Sequence, residues 1–417
     1  MFHPSPRQSF RNWCRPESAI LFFTMAGPDL SGLLNPDLLV WAREQSRMGV
    51  DAAAQKIGQS TERLTEWESG ERVPTLSQLR TLANVYKRSI GVFFLNERPK
   101  VPHRPVDYRQ LEVSAIEFMT PALANGIREA EAKREAALDI LAQLEDEPPA
   151  WNLSIARDMQ PEAAAAMLVE RLGITMATRA RWTDHYEALN GWRSAIESLG
   201  VMVVQLSRVP IREMRGCSLA IFPLPVIILN SADSPLGRVF TLLHELTHLA
   251  RAESSLCDIV EDGQREPLYE EVEIYCNHVA GNALVPRTEL LALNDVQQAS
   301  RTTTWGNDQL RVISRRFWAS REAILRRLLD MGKTSRVHYQ EMRARFVAEY
   351  EALREDSSGR VPQYRLVLLS NGRYLTRLAV NAYASSTITG SELSRILNTK
   401  LDHLPKIKNA LRGEVIA

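Results

Sequence analysis

The feature that most restricts the fold of this chain is the sequence HELTH, which runs from His244 to His248. Ser234 and Pro235 precede it in the order typical of an N-cap and a first helical residue, so the sequence predicts a helix that continues to Ala250. Histidines four residues apart on a helix lie on the same face, where two imidazoles can bind one metal ion. The fold therefore has to bring a further ligand to that face of the helix.

An acidic segment downstream supplies candidates for the third protein ligand that a catalytic zinc site requires beside its open coordination position. The sequence EEVEIYCNHVAGNALVP contains Glu270, Glu271 and Glu273 and predicts a helix that ends before Pro286. His278 is a further candidate, but it lies five residues beyond Glu273 and so falls off the face of that carboxylate. Two imidazoles and one carboxylate favour zinc, with manganese as the alternative.

These two segments together resemble the ImmA/IrrE family of metallopeptidases, whose peptidase domain has a gluzincin-like fold. The resemblance rests on FTLLHELTHLA, on the acidic helix start and ALVP that follow it, and on the family pattern E-x-x-x-N-x-x-A-x-x-L-L-x-P. Counted back from Pro286, that pattern implies Glu273 as the third ligand and places Asn277 one turn later. Cys276 and Gly281 depart from the small or apolar residues usual in the family. The resemblance implies one Zn²⁺ per chain, held by both histidines and Glu273.

Glu245 follows the first histidine, and this spacing places its carboxylate beside a metal-bound water. A carboxylate there takes the proton of the water and passes it to the leaving amine, so Glu245 is the predicted catalytic residue. A further group has to stabilise the oxyanion, and a Tyr, His or Arg side chain is usual. The candidates are Tyr269, Tyr275, His278 and Arg215. Asn277, Tyr275 and His278 are predicted to support the ligands or the substrate.

Short helices punctuated at Gly58, Gly70 and Pro74 are predicted between Pro36 and Leu95. The sequence AAAQKIGQSTERLTEWESGERVPTLSQLRTLANVY resembles an XRE-type helix-turn-helix, through its turn glycine and its WESGERVPT exit. DNA-binding members of that family often begin the second helix with a glutamine that contacts phosphate. The corresponding position here is near Val50, which cannot make that contact.

The charge of this helix-turn-helix favours DNA binding only weakly. From Asp37 to Arg88 there are eight basic and seven acidic residues, and the recognition helix Thr61–Ser69 has a net charge of −2. Because phosphate neutralisation supplies most non-specific affinity, protein recognition or dimerisation is an equal alternative. The candidate nucleic-acid contacts are Arg43, Arg63 and Arg72.

A second basic segment follows the predicted metal site. Asp308–Leu329 predicts two short helices about the turn Trp318–Ser320, similar to the helix-turn-helix-like segment after the peptidase in this family. Eight basic and three acidic residues lie between Asp308 and Arg336. This charge indicates either a DNA contact or a solvated face that supports the peptidase. The candidate nucleic-acid contacts are Arg311, Arg315, Arg316 and Arg321.

The other segments give simpler predictions. Ala122–Leu144 is predicted to form a long helix packed on its own chain, in preference to a coiled coil, since Arg134 interrupts its apolar stripe. Helices are also predicted at 161–172 and 182–199, and strands at 201–206, 217–222 and 226–230. These strands predict a small antiparallel sheet. Asn371 and Gly372 between two apolar runs predict a β-hairpin.

These patterns predict a multidomain, mainly α chain with an all-α helix-turn-helix, an α+β gluzincin-like peptidase domain and a small α+β C-terminal unit. The predicted bounds are 1–32 for a disordered or mis-started N-terminus, 33–98 for the XRE-type helix-turn-helix, 99–150 for a connecting segment with the long helix, 151–295 for the zinc peptidase domain, 296–340 for the helix-turn-helix-like segment and 341–417 for the C-terminal domain. Ala19–Ala26 follows three arginines but is short for a secretion signal, and Met25 is an alternative start.

Charge and cysteine usage restrict the partners. Lys and Arg number 51 and Asp and Glu 50, so no strong overall field attracts the molecule to nucleic acid or to a membrane surface. Four scattered cysteines, and no apolar run approaching about 20 residues, predict a cytoplasmic chain without a membrane partner.

Two functions follow from these patterns. The first is a zinc endopeptidase that cleaves a regulatory protein, for which the resemblance implies a repressor- or antitoxin-like substrate in a stress, mobile-element or phage-defence response. The second is a DNA-binding regulator or antitoxin component whose peptidase-like domain is a non-catalytic sensor or a homodimerisation domain. An intact Glu245 beside the two histidines favours the first, because a pure binding module has no physical need for that carboxylate.

Overall fold

The computed structural model describes residues 30, 32–99, 120–252, 267–355 and 361–412. The segment Ala19–Ala26 and the alternative start at Met25 lie outside these residues. The chain divides after Pro99 into two compact units, and the hydrophobic cores of the described residues respect that division. The mainly α, multidomain fold is confirmed, while the finer domain bounds stay predictions. None of the helices in the described part combines the length and the apolar character that a membrane span requires.

The first unit consists of short helices whose ends are set by local signals. Its elements are α1 (Pro36–Gln45), α2 (Val50–Ile57), α3 (Thr61–Glu68), α4 (Leu76–Tyr86) and a 3-10 helix (Ile90–Phe94). Gly58 ends α2 at a φ of 73°, a left-handed conformation that suits glycine. The Ser60 hydroxyl caps α3 by accepting the backbone N–H of Arg63. Leu64 and Trp67 of α3 are buried in the core of this unit.

The second unit contains one sheet surrounded by helices. The helices are α5 (Pro121–Gln143), α6 (Pro161–Leu172), α7 (Met176–Arg179), α8 (His185–Glu197), α9 (Pro235–Ala250), α10 (Pro267–Leu284), α11 (Arg287–Leu291), α12 (Asn294–Gln298), α13 (Asn307–Phe317), α14 (Arg321–Asp330), α15 (Arg336–Glu355), α16 (Gln363–Asn371), α17 (Arg373–Ala384), α18 (Gly390–Ile396) and α19 (Leu404–Arg412), with a 3-10 helix at Leu401–His403. The strands are β1 (Met202–Leu206), β2 (Gly216–Leu219) and β3 (Val226–Asn230).

The sheet has the strand order β1-β3-β2 and mixed directions. β2 pairs with β3 antiparallel, with Gly216 opposite Leu229, whereas β1 pairs with β3 in parallel, with Met202 opposite Val226. The prediction of an antiparallel sheet is therefore wrong for β1. Its residues and those of β3 are buried on both faces, and such apolar runs carry no signal for strand order or direction.

The two faces of the sheet belong to two different cores. Val203 and Ile227 face the core that contains α9 and α10, while Val204 and Ile228 face the core that contains α5 and the C-terminal helices. The sheet thus supports the helix that carries HELTH from behind.

The long helix α5 packs on its own chain, as predicted. The guanidinium of Arg134 donates hydrogen bonds to the carbonyl oxygens of Leu224 and Pro223, at 3.0 and 2.7 Å, so this residue is used in packing. At Gly126 a Cβ would overlap the side chain of Leu206, which shows how closely α5 approaches β1.

The predicted C-terminal β-hairpin is wrong, and the described part of the C-terminal unit is all-helical. Asn371 and Gly372 form a helix junction between α16 and α17, and a Cβ at Gly372 would lie 2.7 Å from the carbonyl oxygen of Val203. The Asn371 amide donates to the carbonyl oxygens of Val367 and Leu397, and in doing so it holds the junction in place. The apolar residues of α17 recur every three to four positions, which is the helical period and overrides the turn signal.

Candidate metal centre

The helix α9 positions the two histidines of the HELTH sequence. It begins where the sequence predicts, since the Ser234 hydroxyl accepts the backbone N–H of Gly237 at 3.0 Å and Pro235 is the first helical residue. Leu242 and Leu246 of α9 pack in one core with Val279 of α10. This packing fixes α10 beside the histidine face of α9.

Three side chains converge between α9 and α10. The Nε2 atoms of His244 and His248 lie 3.1 Å apart, and they lie 3.3 and 3.2 Å from the two carboxylate oxygens of Glu273. All three residues are buried. Among the described residues this is the group of His, Cys, Asp and Glu side chains that is spaced to hold a metal ion.

The spacing of these atoms fits a tetrahedral zinc ion. Zinc–nitrogen bonds of about 2.05 Å at tetrahedral angles separate neighbouring ligand atoms by about 3.3 Å. The observed separations of 3.1 to 3.3 Å match that value. Two imidazoles and one carboxylate are also a known donor set of catalytic zinc sites.

The carboxyl group of Glu273 is in the ionised form that a metal ligand requires. Burial by itself raises the pKa of this carboxyl, but hydrogen bonds and charge interactions with His244 and His248 outweigh burial and hold the pKa well below its usual range. Burial, together with the nearby Glu245 carboxylate, raises the pKa of the Cys217 thiol well above its usual value. Glu273 is thus ionised at neutral pH, whereas Cys217 stays a neutral thiol.

Glu245 is fully buried where α9 approaches the edge strand β2. A Cβ at Gly216 would overlap the Thr241 methyl group, so glycine at the start of β2 is what allows this approach. That Cβ would also lie 3.6 Å from the Cγ atom of Glu245. Gly216 and Glu245 both line the cleft that opens at His244 and Glu273.

The cleft has a volume of about 860 Å³ and is large enough for several residues of an extended peptide. His244, Glu245 and Glu273 line it on one side, and a further wall is formed by α14 and α15. The α15 residues in this wall are Tyr339, Arg343, Phe346, Val347, Glu349 and Tyr350. Sequence analysis missed this helix, although the spacing of Tyr339, Phe346 and Tyr350 is a signal for one helical face.

Two regions of the chain match known protein families. Residues 196–329 match the family model described as the IrrE N-terminal-like domain, and residues 39–93 match that of a helix-turn-helix. These two matches fit the ImmA/IrrE architecture with an N-terminal helix-turn-helix. The match confirms the resemblance inferred from the sequence, and the IrrE N-terminal-like region contains both α9 and α10 but ends before α15. No curated protein matches the chain.

Two of the predicted oxyanion candidates line the cleft of the IrrE N-terminal-like domain. Arg215 is half-exposed there, 3.4 Å from the buried carboxylate of Asp233, and His278 is exposed on α10. Asn277 also lines the cleft. Tyr269 and Glu270 lie in the first turn of α10, and nothing is described of their side chains.

Tyr275, the other candidate with a described side chain, contacts Met159 and Arg251 and does not line the cleft. Its hydroxyl donates to the carbonyl oxygen of Met159 at 2.8 Å, and the Arg251 guanidinium lies 4.7 Å from the centre of its ring. Tyr275 therefore joins α10 to the segment before α6, and these contacts give it a place in the packing of α10.

The arginines predicted to contact nucleic acid in the helix-turn-helix are paired with glutamates. The half-buried Arg43 donates two hydrogen bonds to Glu68, at 2.8 and 3.1 Å, and these raise its pKa further. Arg63 and Arg72 both lie 3.4 Å from the same carboxylate oxygen of Glu66. Arg43 is a core contact of this unit, while Arg63 and Arg72 stay at its surface.

The arginines predicted after the metal site lie in different surroundings. Arg311 and Arg316 are more than half exposed and form long ion pairs of 3.6 and 3.8 Å, and Arg315 is exposed. Arg321 instead lines the cleft, where it pairs with Glu349 of α15 at 2.7 Å. Arg321 thus joins the two helices of the far wall.

Proposed function

We propose that this chain is a zinc-dependent endopeptidase that cleaves a regulatory protein. The observation that carries the proposal is the convergence of His244, His248 and Glu273 beside the buried Glu245, in a cleft with room for a peptide. The IrrE N-terminal-like match supports a metallopeptidase-type domain. By the same resemblance the substrate is a repressor- or antitoxin-like transcriptional regulator in a stress, mobile-element or phage-defence response.

Each residue has a separate task in this proposal. His244, His248 and Glu273 would hold one Zn²⁺, which when bound polarises the scissile carbonyl and lowers the pKa of a water ligand. The carboxylate of Glu245 accepts the proton of the attacking water and delivers it to the nitrogen of the leaving amine. Its burial excludes bulk water, so that the proton stays at this carboxylate between the two transfers.

The cleft also offers groups that would position the substrate. β2 is an edge strand, and its first residue Gly216 lines the cleft. Arg215 and His278 both line the cleft, so either can stabilise the oxyanion.

Metal content and cleavage together test this proposal. In Glu245→Gln we expect about one zinc per chain and no new N-termini in a host lysate, because the ligands stay and the proton acceptor is lost. Glu273→Gln should lose both zinc and cleavage. Glu271→Gln is the matched control, because Glu271 is exposed on the same helix and should keep both.

Two outcomes would contradict the proposal. A Glu245→Gln variant that still cuts would remove Glu245 from its role. A wild-type chain that holds no zinc after loading and desalting would make α9 a structural helix. The helix-turn-helix match would then favour the alternative, a DNA-binding regulator or antitoxin component with a non-catalytic sensor domain.

The proposal includes a location and further partners. Cys217 and Cys276 are buried cysteine thiols, which favours a reducing cytoplasm. DNA is a second partner through the helix-turn-helix domain, and a homodimer is the proposed assembly. The arginine pairing in that domain leaves protein recognition as its alternative role.

A further inference from the structure

A second cavity lies between α14 and α15, with a volume of about 460 Å³. Its lining consists of Arg326, Leu329, Arg336, Tyr339, Gln340 and Arg343, which we call the arginine groove. Three of these six residues are arginines and none is acidic. The arginine groove therefore presents positive charge to whatever enters it.

The arginine groove adjoins the cleft over the metal centre. Arg326, Tyr339 and Arg343 line both cavities. A peptide that extends from the metal centre along α15 would therefore reach the arginine groove. This adjacency favours a segment of the peptide substrate as the occupant, since it lies beside the path of the scissile bond.

The arginines of the groove are available to an anionic ligand. Arg326 pairs with Asp330 at 3.1 Å and Arg343 with Glu322 at 3.2 Å, but the two arginines are 54% and 61% exposed. Exposed pairs of this kind contribute little free energy, so a competing carboxylate can replace them. Arg336 is exposed and forms no ion pair with any of the described residues.

The charged residues of the two cavities differ. The metal end is lined by the carboxylates of Asp233, Glu245 and Glu273, with Arg215 paired to Asp233, whereas the lining of the arginine groove has no carboxylate. Guanidinium groups bind carboxylates through paired, charge-assisted hydrogen bonds. A substrate that carries an acidic segment beside its scissile bond would match this difference.

We propose that the arginine groove is a specificity subsite for an acidic segment of the protein substrate. The inference rests on the proposed function, since it takes the neighbouring cleft as the place of cleavage. Arg336 and Arg343 bind carboxylates of that segment, and Tyr339 forms the wall between groove and cleft. The substrate is thereby recognised by its charge at a distance from the bond that is cut.

Binding without cleavage tests this subsite separately from catalysis. The probe is a fluorescein-labelled ten-residue peptide of alternating Glu and Ala, measured by fluorescence anisotropy on the full-length Glu245→Gln chain. We expect saturable binding that weakens with salt, and at least a tenfold loss in an Arg336→Glu/Arg343→Glu double variant. A Lys/Ala peptide should bind the double variant better than it binds the parent chain.

Arg345→Glu is the matched control for Arg343→Glu. Both residues are exposed on α15, but Arg345 lines neither cavity. We expect Arg345→Glu to change the affinity less than twofold and Arg343→Glu alone to weaken it by about fivefold. Equal effects of the two substitutions would overturn the proposal, because they would reflect only the net charge of the chain.

A binding measurement with a single-stranded nucleic acid tests whether the arginine groove binds phosphates rather than carboxylates. A labelled ten-nucleotide single strand that binds more tightly than the Glu/Ala peptide, and displaces it in an Arg336-dependent manner, would overturn the peptide assignment. Because none of these measurements needs zinc or cleavage, they can succeed when the proposed peptidase activity fails, and the reverse is equally true.

Discussion

The helix-turn-helix of the first unit and the helix pair α13–α14 of the second carry the same local signals in different surroundings. In the first unit Gly58 ends α2 in the left-handed region and Ser60 caps α3; in the second, Trp318 ends α13 at a φ of 50° and Ser320 caps α14. The first segment stands in its own compact unit, whereas the second forms a wall of the cleft. The turn and cap residues thus set the local helix-turn-helix geometry in both places. The surroundings of the arginines differ between the two.

The largest expected effect concerns Arg327, which ties α14 to the end of α10. Its Nε atom donates to the carbonyl oxygen of Val285 at 3.3 Å, its guanidinium donates to Asn282, and its burial lowers its pKa. Arg327→Ala leaves buried acceptors without a donor and should cost about 3 kcal/mol in urea unfolding of the second unit. Arg326→Ala, exposed on the same helix, should cost under about 0.5 kcal/mol. Equal urea midpoints for Arg327→Ala and Arg326→Ala would show that Arg327 does not hold α14 to α10.

A smaller effect is expected at Arg43 in the first unit. Arg43→Ala removes two hydrogen bonds to Glu68 and leaves a half-buried carboxylate without this partner, so the first unit should lose about 2 kcal/mol. Hydrogen exchange in peptides from α1 to α3 measures this loss inside the full chain. Arg63→Ala, which breaks only an exposed pair, should change exchange little. Faster exchange in Arg63→Ala than in Arg43→Ala would reverse the assignment of the core contact.

The smallest effect tests whether the two motifs share one code. Ser60 accepts the Arg63 N–H at 3.2 Å, and Ser320 accepts the Ala323 N–H at 3.1 Å. Ser60→Ala and Ser320→Ala should each cost about 1 kcal/mol, measured by exchange in the first turns of α3 and α14. Asp at either position should restore the cap. A cost confined to one of the two serines would mean that tertiary packing, and not the cap, fixes the other helix.

Local signals explain most of what the sequence predicts correctly. Ser234 and Pro235 give the start of α9, and the spacing of His244 and His248 places both on one face. The choice of Glu273 over Glu271 needed a family pattern, because several acids precede the same helix and their spacing alone cannot separate them. The structure brings Glu273 to the histidines and leaves Glu271 exposed.

Non-local contacts account for the errors. The parallel pairing of β1 with β3 depends on strand order, and the apolar runs of these strands carry no signal for strand order. Asn371 and Gly372 resemble a hairpin turn locally, but their conformation is set by contacts with Leu397 and Val203, which lie far away in sequence. The wall formed by α15 was missed for the same reason, since its importance appears only when it faces α9 across the cleft.

Because α15 lines the cleft but carries none of the proposed metal ligands, the cleft lining can be varied independently of metal binding. The proposed metal ligands lie on α9 and α10, whereas Tyr339, Arg343 and Val347 face the same cleft from α15, beyond the end of the matched IrrE N-terminal-like region. A library randomised at these three positions would vary the lining of the cleft and leave the proposed metal ligands unchanged. Selection could then be split into a screen for metal retention, passed by nearly all members, and a screen for new substrates.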